Sequence, residues 1–219
     1  MPKLRLGVLA SGSGSNLQAI IDNIESGNLP CEIAVVISDK PDAFALKRVE
    51  RHGIKTEAVQ SKTFQNREGF DTELVKILNS YNVDLVVLAG FMRVVTGVLI
   101  SAFPMRIMNI HPALLPSFPG LHVQEKALEY GAKFSGCTVH FVDEGVDTGP
   151  IIIQAVVPVL DDDTEETLSA RILKEEHRIY PYAIRLFAEG RLEVKGRRVI
   201  VKDHPKDEGA MENPQVLPK

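Results

Sequence analysis

The chain of 219 residues contains only two cysteines, Cys31 and Cys137, and no CxxC pair. Neither a disulfide framework nor a cysteine-built zinc site is expected. Long apolar runs are missing: none approaches the roughly 20 residues that span a bilayer. The opening Met-Pro-Lys-Leu-Arg lacks the apolar stretch and cleavage site of a secretory signal. There is no basic surplus, with 25 Lys+Arg against 29 Asp+Glu and a net charge of −4 with neutral His. Non-specific nucleic-acid binding needs a clustered basic surface, so that class is excluded. No repeat of fixed period occurs, which removes solenoids and propellers. What remains is ordinary globular usage, 44% hydrophobic and 25% charged. The length suits one domain or a domain with a small appendage. The expectation is a cytoplasmic protein without membrane or nucleic-acid partners.

What is present is alternation. Apolar, β-branched runs at 4–10, 33–37, 55–59, 84–89, 107–110, 138–142 and 151–157 read as strands. Several lack polar alternation, as strands buried on both faces do. Helical spacing is found at 16–26, 43–51, 66–80, 94–102, 123–130 and 165–188. Pro181 lacks an N–H, which predicts a kink or break in the last of these. Segments 192–195 and 198–201 form a hairpin pattern around Gly196-Arg197, and from Asp203 onward the chain reads as a polar tail. Strand–helix alternation predicts an α/β fold: a single domain with a mostly parallel, twisted sheet and helices on both faces. Ligands then bind outside the carboxyl ends of the strands. The loops after Ala10, Ala89, Ile110 and Val142 are therefore the places to examine.

The first loop, Gly12-Ser13-Gly14-Ser15-Asn16, follows a strand and opens a helix. A helix N-terminus presents free N–H groups to a phosphate. The dinucleotide and P-loop patterns both fail here, so the spacing leaves a plain turn with Asn16 as N-cap open as well. In Met108-Asn109-Ile110-His111-Pro112, Asn109 and His111 project to the same side of a strand end. An amide can donate to a developing oxyanion, and an imidazole can shuttle protons. Asp147, in Asp143-Glu144-Gly145-Val146-Asp147-Thr148-Gly149-Pro150, is either a solvated turn residue or the partner that orients His111 and favours its charged form. His140 falls inside a strand and reads as a core residue.

Together these stretches resemble the phosphoribosylglycinamide formyltransferase (glycinamide ribonucleotide transformylase) family. The resemblance rests on five motifs in order over residues 4–201. They are Ser-Gly-Ser-Gly-Ser-Asn-Leu-Gln-Ala-Ile, Ala-Gly-Phe-Met-Arg, Asn-Ile-His-Pro-Ala-Leu-Leu-Pro-Ser-Phe-Pro-Gly-Leu-His, Val-His-Phe-Val-Asp-Glu-Gly-Val-Asp-Thr-Gly-Pro, and Glu-Glu-His-Arg-Ile-Tyr-Pro. The resemblance implies a Rossmann-like formyltransferase domain over 1–202, a flexible tail over 203–219, 10-formyltetrahydrofolate as cosubstrate, and no metal. It implies formyl transfer to the amino group of glycinamide ribonucleotide, a step of purine biosynthesis, by a monomer or homodimer. Gly14, Ser15, Asn16 and Glu176 match ribonucleotide contacts. Arg67, Met92, Arg93, Val94, Val95, Asn109, Asp143, Glu144, Gly145, Val146 and Asp147 match folate contacts. Asn109, His111 and Asp147 match the catalytic trio. Thr148 stands where glycine is frequent in the family.

Three rival readings share this fold. A formyltetrahydrofolate hydrolase carries an extra N-terminal regulatory domain, for which a first strand starting at Leu4 leaves no room. A methionyl-tRNA formyltransferase carries a C-terminal RNA-binding domain, which neither the length nor the acidic balance favours. A non-catalytic folate or nucleotide sensor is expected to have lost one of Asn109, His111 and Asp147, and all three are present.

Overall fold

The computed structural model describes residues 3–203. The tail expected over 203–219 thus lies outside the described residues, apart from Asp203. Strands β1 (Leu4–Leu9), β2 (Cys31–Ser38), β3 (Thr56–Ala58), β4 (Leu85–Leu88) and β5 (Ile107–His111) alternate with helices α1 (Ser15–Glu25), α2 (Phe44–Glu50), α3 (Arg67–Ser80) and α4 (Gly97–Ala102). After β5 come α5 (Val123–Glu129), β6 (Phe134–Phe141), β7 (Ile151–Pro158), α6 (Glu165–Ala188), β8 (Leu192–Lys195) and β9 (Arg198–Val201). One nine-stranded sheet results, in the order β3-β2-β1-β4-β5-β6-β7-β9-β8. The first five strands are parallel. β6 runs antiparallel to both of its neighbours, and β9 is parallel to β7. The sheet is therefore mostly parallel.

Period-two side chains divide the core between the two faces. Leu6, Val8, Leu85, Val87, Met108 and Ile110 meet Leu17, Ile20, Ile172, Ile179 and Ile184 from α1 and α6. On the other face, Val35, Ile37, Val86, Leu88 and Ile107 meet Phe70, Leu74, Leu78, Leu99 and Phe103 from α3 and α4. β1, β2, β4 and β5 are covered on both sides, which is why their runs show no polar alternation; the edge strand β3 is largely exposed.

Several expected features change. α1 begins at Ser15, capped by Gly14 at φ 71° with no side-chain cap bond. Asn16 is therefore inside the helix rather than its N-cap, and its side chain is used elsewhere. α4 starts only at Gly97, because Thr96 Oγ1 accepts from Val98 N–H and caps it there. Val94 and Val95 belong to the preceding loop. β6 starts four residues earlier than its apolar run. α6 is continuous through Pro181 rather than broken. A buried face that includes Ile179, Tyr180, Ala183 and Ile184 brackets the proline, and tertiary packing of that face outweighs one missing helical bond.

Candidate active site

The C-terminal ends of β4 and β5 open into a cleft of about 420 Å³. Asn109 and His111 reach it from β5, as strand periodicity requires. Antiparallel pairing with β6 sets Asn109 directly opposite His140, so the two side chains share a face. Asn109 Nδ2 lies 3.2 Å from His140 Nε2 and 3.5 Å from Asp147 Oδ1. His140 is buried, and its Nδ1 lies 2.8 Å from the Phe141 carbonyl. A carbonyl only accepts, so Nδ1 carries a hydrogen, while Nε2 faces both the Asn109 amide and, at 3.7 Å, Asp147 Oδ1.

His111, also buried, has an acceptor on each ring nitrogen. Nε2 is 2.9 Å from the Phe118 carbonyl, and Nδ1 is 3.4 Å from Asp147 Oδ2. The Phe118 carbonyl takes the Nε2 side as a hydrogen-bond acceptor, and the Asp147 carboxylate faces the Nδ1 side. Asp147 also accepts the Gly120 N–H at 2.9 Å. Burial pushes the Asp147 carboxyl up. His140, the Gly120 N–H and His111 outweigh it and hold the group below its ordinary value. The loop after β5 is tied down by Thr138, whose hydroxyl donates to the Ala113 carbonyl and accepts from Leu115 N–H.

The cleft wall contains Met92, Arg93, Val94, Val95, Asp143, Gly145 and Val146 besides Asn109, His111 and Asp147. Met92, Val94, Leu121 and Val146 form an exposed apolar lip. Glu144 and Arg67 are exposed and are not among its lining residues. Arg93 links the α3 region to the cleft: its guanidinium lies 4.8 Å over the Phe70 ring and donates to Ser61 Oγ.

Gly14, Ser15, Asn16 and Glu176 gather at a second place. A Cβ on Gly14 would approach Ala45 to 2.9 Å, so glycine is needed both for its positive φ and for the closeness of α2. Asn16 Nδ2 donates to Glu176 Oε2 at 2.6 Å, while Asn16 Oδ1 is buried with no donor among the described residues. Burial pushes the Glu176 carboxyl up, partly opposed by Asn16. The two places adjoin. Ser11 N–H donates to the Gly90 carbonyl, and Met92 N–H donates to Ser11 Oγ.

The sequence reading missed His140 as a site residue. The signal that finds it is its register opposite Asn109, which strand pairing alone reveals. The carbonyl of Phe118 and the N–H of Gly120 carry no side-chain signature at all.

Comparison with known proteins decides the family. The formyl transferase family model matches residues 4–184. The chain belongs to the formyl transferase family. It is 45% identical over 191 residues to the phosphoribosylglycinamide formyltransferase of Escherichia coli (strain K12), covering 87% of this chain and 90% of that protein. It is 50% identical over 188 residues to the trifunctional purine biosynthetic protein adenosine-3 of Drosophila melanogaster, covering 85% of this chain but 14% of that protein. The chain thus spans from about one-seventh to one-fifth of the length of such trifunctional relatives. The crystal structure of glycinamide ribonucleotide transformylase 1 from Symbiobacterium toebii superposes with a TM-score of 0.90 at 58% identity, covering 92% of this chain and 95% of that one. A formyltetrahydrofolate deformylase from Pseudomonas syringae shares the fold at 30% identity and a TM-score of 0.86, covering 92% of this chain and 67% of that one. Among the described residues of this formyl transferase, no helix is long and apolar enough to cross a membrane.

Proposed function

We propose that this formyl transferase moves the formyl group of 10-formyltetrahydrofolate to the amino group of N1-(5-phospho-D-ribosyl)glycinamide. The products are the N2-formyl ribonucleotide and tetrahydrofolate, in de novo purine biosynthesis. It works in the cytoplasm on small molecules, as a monomer or homodimer and without nucleic acid. The observation that carries this reading is the convergence of Asn109, His111 and Asp147 in one cleft beside the α1 loop.

The loop and the α1 N-terminus, Gly14, Ser15 and Asn16, bind the ribonucleotide phosphate, and Glu176 holds a further polar group of that substrate. The cleft is of the size that encloses a small ligand. Met92, Val94, Val95 and Val146 supply apolar surface for a pterin, with Asp143, Glu144 and Gly145 around it. Arg67 and Arg93 face the glutamate carboxylates, which guanidinium groups match.

The free amine attacks the formyl carbon, and the carbonyl oxygen becomes an oxyanion. Protonated His111 stabilises that charge once its Nε2–H turns from the Phe118 carbonyl to the oxyanion. Asn109 adds an N–H by giving up its longer, 3.5 Å bond to Asp147, while His140 keeps the other and fixes the amide plane. A proton then passes from the ammonium to the folate N10 by way of His111, and the C–N10 bond breaks. Asp147 holds the imidazole in position throughout. General acid–base assistance of this kind is worth ~10²–10⁴ in rate.

The test follows deformylation of 10-formyltetrahydrofolate by absorbance with and without the ribonucleotide. A rate that needs the ribonucleotide and yields formylated product supports the transferase. Equal rates in both arms identify water as the acceptor, the reading that the likeness to a deformylase favours.

A further inference from the structure

The loop between β6 and β7 is fastened twice, and one fastening comes from a part of the chain that the reaction does not use. Within the loop, Thr148 Oγ1 donates to Asp143 Oδ1 at 2.6 Å, and Gly145 N–H donates to the same oxygen at 3.2 Å. From outside, the Arg197 guanidinium donates to the Thr148 carbonyl at 2.6 Å. Arg197 stands in the two-residue turn of the β8–β9 hairpin, where Lys195 pairs with Arg198 and Gly196 takes φ 60°. A glycine at the first central position of such a turn matches the twist of the strands it joins. β9 runs beside the start of β7, with Ile151 paired to Arg198. The hairpin tip and the end of the loop are therefore neighbours, although 49 residues separate Arg197 from Thr148.

The loop has a strained residue to hold. Asp147 sits at φ 55°, a conformation that a side-chain-bearing residue keeps only when its surroundings impose it. From that conformation its carboxylate reaches His111, Asn109 and the Gly120 N–H at once. The carbonyl gripped by Arg197 belongs to the very next residue. Arg197 is exposed and is not among the cleft residues, so it can act on the site only through the loop.

We propose that Arg197 is a positioning residue: by holding Thr148 it keeps the loop in the form that presents Asp147 and the folate-facing backbone. The inference rests on the formyl-transfer reading. It separates the two substrates, because the loop faces the folate side and not the α1 loop.

The experiment measures steady-state constants for both substrates in wild type, Arg197→Ala and Arg197→Lys. It adds calorimetric titration with 10-formyl-5,8-dideazafolate. The expected result for Arg197→Ala is a rise of about three- to tenfold in folate KM and in the Kd of the analogue, the effect of one net hydrogen bond. kcat falls by a similar few-fold factor, because Asp147 is held less firmly, and the ribonucleotide KM is unchanged, whereas general loss of structure moves that constant as well. Lysine, which keeps a charged donor, restores most of the loss. Adding Thr148→Gly has a smaller effect on the alanine background than on wild type, since both changes release the same loop. An Arg197→Ala variant with unchanged folate constants overturns the inference, as does an equal rise for both substrates. A wild type that neither binds the analogue nor turns over refutes the formyl-transfer reading instead.

Discussion

Replacing Glu176 by glutamine should make the protein more stable at alkaline pH and a poorer enzyme. Glu176 is 7% exposed, and its carboxylate accepts the Asn16 amide at 2.6 Å. The other end of that amide, Asn16 Oδ1, is buried with no donor among the described residues. Burial raises the Glu176 pKa in the folded chain, whereas an unfolded glutamate titrates near 4.3. Between those two values the folded chain holds a proton that the unfolded chain has lost. Stability therefore falls as pH rises through that window and stays lower above it. Glutamine has no proton to lose, and its Nε2 brings a donor for Asn16 Oδ1. A buried acceptor without a partner costs about 1–3 kcal/mol. The gain at pH 8 is then on the order of 1 kcal/mol, or roughly 2–4 °C in Tm for a chain of this size. Below about pH 4 the native glutamate is itself neutral, and the gain vanishes. Urea denaturation at pH 8 and pH 4 measures both. The ribonucleotide KM should rise by about tenfold, because a charged hydrogen-bond acceptor is lost from the site. A glutamine variant less stable than wild type at pH 8, or equally favoured at both pH values, refutes this account of the buried pair.

Four other substitutions test other parts of the structure. His111→Ala should lower kcat by ~10²–10⁴, and Asn109→Ala by about 10²–10³. Both should leave the KM values within a few-fold, so near-normal turnover in either variant removes it from the proposed chemistry. Gly14→Ala forces a Cβ to 2.9 Å from Ala45 at a φ of 71°. It should cost about 1–3 kcal/mol in stability and raise the ribonucleotide KM by a larger factor than the folate KM, measured by denaturation and by steady-state kinetics. Asp163 takes two bonds from Arg171, at 2.6 and 2.8 Å, beside the start of α6. The Arg171 guanidinium holds the Asp163 carboxyl far below the usual carboxylate range. Its stabilisation is complete above about pH 4 and is lost as pH falls through the folded value. Asp163→Asn should therefore cost about 1–3 kcal/mol at pH 7, with the gap to wild type closing in strong acid; thermal unfolding at pH 7 and pH 2 checks this.

The fold class was legible because buried parallel strands leave an unmistakable pattern: runs such as 33–37 and 84–89 have no polar face, and helical spacing fills the gaps. The direction of β6 was not legible. A helix between two strands usually marks a parallel crossover, yet the chain passes through α5 and returns antiparallel. That reversal sets His140 against Asn109, so missing the one entailed missing the other. Ser135, Gly136 and Cys137 hid the first half of β6, since small residues carry little strand signal. Asn16 looks like a helix cap from its position alone. The distant Glu176 takes its amide, and Gly14 ends up capping instead. Pro181 shows the same precedence, because a local breaker lost to the buried face around it.

On the proposed reading, one helix registers two substrates. Glu176 and Tyr180 are four residues apart on α6 and so lie on one face. Glu176 holds Asn16 at the α1 loop. The buried Tyr180 hydroxyl lies 3.0 Å from the Leu88 carbonyl at the end of β4 and 2.9 Å from the Met108 carbonyl near the start of β5. One hydroxyl hydrogen shared between two carbonyls ties the two strands together. Leu88 leads into the Gly90–Met92 segment that Ser11 grips, and Met108 precedes Asn109. An amine on one substrate must come within about 3–3.5 Å of a formyl carbon on the other. Such a distance can be kept only if the two binding regions share a rigid reference. Here that reference is the buried face of α6 together with the Ser11 bonds. The side chains proposed to convert proximity into reaction, by contrast, stand on β5, β6 and a loop latched at both ends.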